Sequence, residues 1–162
     1  MRSSSQKIFF IFSFILVGFF SNNATADSAR SSHRLGVFLG LLGEPLPVVA
    51  SLNAGLNIFD FLRVSGGYGS VSTDAVSIKT TGGSAKLFIP GWNFSPTFGL
   101  GYAKISYSGS DTFGGFSGSA SHTYTIFGFD WTAPIGFYFG MGAAVSISST
   151  GGLPYISLGW FL

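Results

Sequence analysis

Pro154-Tyr-Ile-Ser-Leu-Gly-Trp-Phe-Leu162 is the stretch that decides the fold. Leu162, Trp160, Leu158, Ile156 and Pro154 share one face of an extended chain, and Phe161, Gly159, Ser157 and Tyr155 share the other. A period of two marks a strand. Large apolar side chains on one face, with Gly, Ser and Tyr on the other, suit lipid outside and a packed interior inside.

Seven earlier segments repeat this alternation: Arg34–Leu42, Ala50–Ile58, Leu62–Val71, Ile78–Ile89, Phe94–Tyr107, His122–Trp131 and Ile135–Ile147. In the last of these Ile135, Phe137, Phe139, Met141, Ala143, Val145 and Ile147 oppose Gly136, Tyr138, Gly140, Gly142, Ala144 and Ser146. The connections alternate in character. Phe59-Asp60-Phe61, Pro90–Asn93 and Thr132-Ala133-Pro134 are short; Glu44–Val48, Ser72–Ser77, Ser108–Ala120 and Ser148–Gly152 are on average longer and richer in Ser, Gly and Asp. Short periplasmic turns and longer outer loops are the rhythm of outer-membrane barrels. The expected fold is all-β: an eight-stranded antiparallel up-and-down transmembrane β-barrel over residues 34–162, with both termini periplasmic.

Composition supports this reading. Only 9% of residues are charged, against about 25% in ordinary soluble domains. Beyond residue 26 no run of 18 apolar residues exists to make a transmembrane helix. A charge-poor chain rich in Gly and aromatics that must cross a bilayer is left with a closed barrel. Residues 1–26 read as a cleaved signal peptide, with basic Arg2 and Lys7, an apolar run from Ile8 to Phe20, and Ala24-Thr25-Ala26 as the cleavage pattern. Residues 27–33 then form a short periplasmic segment. Lys and Arg number eight and Asp and Glu six, so losing Arg2 and Lys7 leaves a neutral chain with no warrant for a nucleic-acid partner. There is no Cys, and the acidic residues are scattered singly, so no cofactor or metal is expected.

An eight-stranded barrel has room inside for side chains only. Among the small inward residues, Arg34, Arg63, Lys86, Asp130 and Tyr138 are the expected polar plug, with Phe38, Tyr124 and Tyr155 as further fillers. Asp130 should pair with Arg63 or Lys86, because an unpaired buried charge is costly. The sharper alternative is a narrow polar path through the same residues. Trp92, Trp131 and Trp160 all fall at periplasmic strand ends, as an aromatic girdle requires. Lys79 and Lys104 fall on the lipid-facing parity near the outer rim. Either they snorkel, or a bulge at Gly82-Gly83 reverses the parity.

Two features invite more specific functions. His122 lies near the outer end of the sixth strand beside Ser119, Ser121 and Thr123, where a Ser–His pair would activate a nucleophile. However, His122-Thr123-Tyr124-Thr125 lacks the His-x-Ser-Asn element of the lipid A deacylases, and a rim histidine facing water is the plainer reading. Phe113 and Phe116 in Ser108–Ala120 offer a surface contact to a partner or lipid, unless they fold back over the barrel mouth.

With strand count, alternation, loop rhythm and the final strand in hand, the chain resembles the small eight-stranded outer-membrane β-barrel proteins, the OmpX/Ail-like and OmpA-barrel-like group. That resemblance implies that Trp160, Phe161 and Leu162 form the signal read by the barrel-assembly machinery, although Leu162 stands where the group usually has Phe. The expected role is a structural or surface-interacting, non-enzymatic barrel, monomeric among outer-membrane lipids and lipopolysaccharide. The alternatives are a narrow channel for small or apolar solutes and, further off, a lipid-modifying enzyme.

Overall fold

A computed structural model describes residues 28–41, 50–111, 114–147 and 151–162. One helical turn, α1 (Ala29–Ser32), precedes eight strands: β1 (Leu35–Leu41), β2 (Ala50–Ile58), β3 (Leu62–Ser72), β4 (Val76–Phe88), β5 (Phe94–Asp111), β6 (Gly114–Thr132), β7 (Phe137–Ser146) and β8 (Gly152–Phe161). Each strand pairs antiparallel with the next, and β1 pairs with β8 to close the barrel.

The period of two is physical. β1 alternates exposed and buried residues along its whole length, with Leu35 60% exposed and Gly36 buried. β2 does the same, exposing Leu52 and Leu56 and burying Ser51, Asn53 and Asn57. Large apolar side chains cover the outside of every strand, among them Val64, Leu87, Phe98, Leu100, Phe127 and Leu158. Such a continuous apolar exterior is untenable in water. The closed sheet leaves no backbone edge to lipid, which makes it a membrane-spanning structure.

One end of the barrel carries tight turns at 59–61, 89–93 and 133–136; the other carries the longer β5–β6 hairpin. In the first turn Phe59 adopts φ 61°, uncommon for an aromatic, and its ring stacks on Phe61 at 5.5 Å. In the third, Gly136 has φ 91°, and a Cβ there would fall 2.1 Å from the carbonyl oxygen of Phe161, so only glycine fits. The seventh strand accordingly starts at Phe137 rather than Ile135, which is exposed in the turn.

The β5–β6 hairpin departs most from the sequence reading. Ser108–Ala120 looks like a flexible loop because Gly and Ser are poor strand formers. Instead, Ser108 pairs with Ser117, Gly109 with Phe116, Ser110 with Gly115 and Asp111 with Gly114. Only Thr112 and Phe113 lie outside the described residues. Cross-strand pairing from the barrel below carries the ladder through residues whose own preference is weak. The parity of the fourth and fifth strands is also settled. The β4–β5 pairing runs one-to-one from Val76↔Gly109 to Phe88↔Thr97 without a bulge, and Lys79 and Lys104 both point outward.

Candidate functional site in the barrel interior

Two clusters stand out in the interior. At the turn end, four residues from four strands converge. The buried Asp130 carboxylate of β6 accepts a hydrogen bond from Tyr138 Oη at 2.9 Å. Lys86 Nζ of β4 lies 3.3 Å from Asp130 Oδ2, and Arg63 Nη1 of β3 lies 3.4 Å from it. The sequence expectation of one partner for Asp130 is exceeded, since both cations reach the same carboxylate. Gly140 on β7 makes the room, because a Cβ there would fall 2.4 Å from Tyr138 Oη and 2.7 Å from Asp130 Oδ1.

Two cations on one carboxylate leave an excess of positive charge, and aromatic rings surround it. The Arg63 guanidinium stands 4.3 Å from the Tyr138 ring centroid and 4.2 Å from that of Phe161. Lys86 Nζ is 4.7 Å from the ring of Tyr155. Ring faces attract a desolvated cation, and Arg63 Nη2, which has no hydrogen-bond acceptor among the described residues, depends on them. Phe161 is fully buried and packs edge-on against Tyr138, and Phe38 contacts both rings. Of the three residues at the end of the chain, Trp160 and Leu162 therefore face out and Phe161 fills the lumen.

Arg34 is the correction here. It is exposed beyond the mouth, with Nε 3.4 Å from the carbonyl of Ser31. The inward parity of β1 at that point opens into solvent, because the strand begins only at Leu35. The third interior cation is Arg30, which the sequence reading overlooked because it precedes the first strand. Helix α1 folds back across the mouth and buries Arg30 completely. Its Nε donates to the Asp60 carbonyl at 3.1 Å and its Nη2 to the carbonyls of Ile89, at 3.1 Å, and Trp92. The Asp60 carboxylate accepts from Ser28 Oγ and from the Gly91 amide. A further link runs inward: Asn57 donates to the His33 carbonyl at 2.6 Å and accepts from Arg63 Nε at 2.8 Å. The cap thus ties two turns to the plug. Burial pulls the Arg30 pKa down to about 10, partly offset by Asp60, so Arg30 remains a cation at neutral pH.

Toward the hairpin end the β5–β8 side of the interior turns apolar, while β2–β4 bury Ser51, Asn53, Ser65, Thr80 and Ser84. Ala103, Tyr124, Ile126, Ala144 and Tyr155 form one buried cluster. Tyr124 and Tyr155 were expected there. Ile126 was not, although its even-numbered place beside Tyr124 and Gly128 on β6 gives the same parity. His122 is half-buried on that parity, opposite Ala103. Phe116 is exposed but leans over Gly109, so its ring is supported by the hairpin. Phe113 lies outside the described residues. Among the described residues no group of His, Cys, Asp and Glu has the makings of a metal site.

Trp92, Trp131 and Trp160 all lie at the turn end, partly exposed, with Trp131 and Trp160 both edge-on to Phe137 at 6.0 and 6.2 Å. Tyr68 and Tyr102 mark the opposite edge of the apolar exterior. From Phe94 to Tyr102 on β5 is about 20 Å along the barrel axis at ordinary rise and tilt, close to the roughly 25 Å of an outer-membrane apolar band.

The architecture defines a small eight-stranded β-barrel of the outer-membrane type. Among solved structures, the chain is similar to the N-terminal β-barrel domain of Pseudomonas aeruginosa OprF, with a TM-score of 0.59 at 12% identity over 80% of this chain and 96% of that one. It also matches Ail, the attachment invasion locus protein of Yersinia pestis, with a TM-score of 0.43 at 13% identity over 78% and 93% of the two chains. No protein-family model and no curated protein sequence matches it.

Proposed function

We propose that this protein is an integral outer-membrane barrel with a structural or surface-interacting role and no catalytic chemistry of its own. The observation that carries this reading is the filling of the turn end of the lumen by an ionic plug around Asp130, with an apolar cluster around Ile126 beyond it on β5–β8. A solute path must pass the turn end, and there Arg63, Lys86, Asp130, Tyr138 and Phe161 are all buried and Arg30 is buried across the mouth. The turn end, with its three tryptophans, faces the periplasm together with both termini. The β5–β6 hairpin then projects outward, where Phe116 is available to a surface partner. In this reading residues 1–26 are removed as a signal peptide. The barrel-assembly machinery reads Trp160, Phe161 and Leu162, and the monomer sits among outer-membrane lipids and lipopolysaccharide.

Planar-bilayer recording of the refolded protein tests the central claim. We expect no discrete openings, and reproducible unitary conductance would overturn the structural role in favour of a narrow channel. Fractionation should find the protein in outer membranes with heat-modifiable gel mobility. A mass change in lipid A on overexpression that disappears in His122→Ala would reinstate the enzyme.

A further inference from the structure

Above the apolar exterior, the outside of β3–β6 changes character within two rungs. The pairing sets Tyr68, Thr81, Lys104 and Ser121 in one row across the four strands. The next row toward the hairpin end is Ser70, Lys79, Ser106 and Ser119, and the next is Ser72, Ser77, Ser108 and Ser117. All three rows lie on the outward parity, and Lys79 and Lys104 are both exposed. The hydroxyls form a regular grid, tied in places by bonds such as Tyr102 Oη to Ser121 Oγ at 2.9 Å and Ser72 Oγ to Ser77 Oγ at 3.0 Å.

The two lysines are diagonal neighbours, since Lys79 pairs with Ser106 and Lys104 with Thr81. Diagonal positions on adjacent strands lie about 7–8 Å apart, so two flexible ammonium groups can close on one anion or on two linked ones. They are the two lysines on the outer face of the barrel strands, because Lys86 is inside. No carboxylate stands in these rows; the nearest acidic residue along β4 is Asp74, in the exposed turn beyond Ser77. The surface is thus a cationic, hydroxyl-rich sheet directly above a tyrosine-edged apolar band. Its chemistry complements a headgroup that carries phosphate for the ammoniums and sugar hydroxyls for the serines, while its acyl chains run down the band.

We infer that the outer face of β3–β6, centred on Lys79 and Lys104, binds the phosphorylated sugar headgroup of an outer-leaflet glycolipid. This rests on the outward orientation of the hairpin end given above. The occupant is a lipid because the lysines sit at the band's edge, where a bound headgroup is continuous with chains lying on Leu100, Phe98 and Val64.

The test is lipid retention by the full mature chain in detergent, read by native mass spectrometry. The probes are bisphosphorylated lipid A, its phosphate-free form, phosphatidylglycerol and phosphatidylcholine. Wild type should hold bisphosphorylated lipid A about 25-fold more tightly than Lys79→Gln/Lys104→Gln, about fivefold for each lysine. Lys79→Arg/Lys104→Arg should restore retention. Unchanged retention by the double glutamine variant, with folding verified by heat-modifiable mobility, would overturn the site. Equal retention of the phosphate-free form would do the same, and equal retention of phosphatidylglycerol would overturn the glycolipid assignment. The measurement is independent of location, so a protein that failed to reach outer membranes would sink the preceding section while leaving this result standing.

Discussion

The turn-end half of the barrel interior and the β5–β8 wall of the other half fill their space with opposite chemistry. At the turn end Asp130 holds Arg63, Lys86 and Tyr138, and aromatic rings blanket the cations. At the hairpin end Ile126 and two tyrosines pack among alanines without any ion pair in the cluster. The ionic half depends above all on Asp130, because removing it leaves two buried cations unpaired, whereas removing either cation leaves a one-to-one pair. The apolar half degrades gradually with lost volume. The difference teaches that charge in this lumen hangs on one shared carboxylate, while the apolar cluster has no single keystone.

The sharpest way to expose that difference is Asp130→Ala, which strands two cations. We expect a loss of about 3–5 kcal/mol in denaturant unfolding of the micelle-bound protein. Ile126→Ala should follow, at about 2–4 kcal/mol, with no change in salt sensitivity. Should Asp130→Ala prove the milder of the two in the same assay, the contrast between the halves collapses. Tyr138→Phe removes one donor to a carboxylate and should cost about 1.5–3 kcal/mol. Converting the ionic half to the chemistry of the other, with Arg63→Met, Lys86→Leu and Asp130→Leu together, should leave stability unchanged or raise it by about 1–4 kcal/mol. A large loss in that triple variant would show that the charges hold the fold and do not merely neutralise one another. The smallest effect belongs to pH. Because the folded pKa of Arg30, about 10, lies below the ordinary guanidinium value, the unfolded chain binds more protons above about pH 10. Stability from Arg30 therefore rises with pH only above about 10 and is flat across neutrality. A melting-temperature series from pH 6 to 9, comparing wild type with Arg30→Gln, should give parallel curves.

The strands were legible wherever lipid forces a choice. β2 matches the expected Ala50–Ile58 residue for residue, because Leu52 and Leu56 have no alternative to the outside. Where lipid is absent, the signal fades. The outer β5–β6 hairpin faces water on both sides and therefore carries no apolar stripe, so its Ser and Gly residues gave no strand signal. The plug was partly readable, since Arg63, Lys86, Asp130 and Tyr138 sit on clear inward parity. Arg30 was not, because its position depends on α1 folding back onto the turns at Asp60 and Trp92, a long-range event with no local pattern. Arg34 was misread for the related reason that parity loses its meaning where the barrel wall stops.

The seam between β1 and β8 has a temporal meaning. Leu35 and Leu162 exchange hydrogen bonds at 3.3 and 2.7 Å, joining the start of the first strand to the last residue. Until β8 pairs with β1, the sheet has two raw edges, and a raw edge in hydrocarbon is forbidden. Closure over so long a loop is also slow. The chain therefore cannot finish piecemeal as it is delivered. It must be kept from pairing with its neighbours in transit, and its completion is a single ring-closing event that waits on the pairing of β8 with β1.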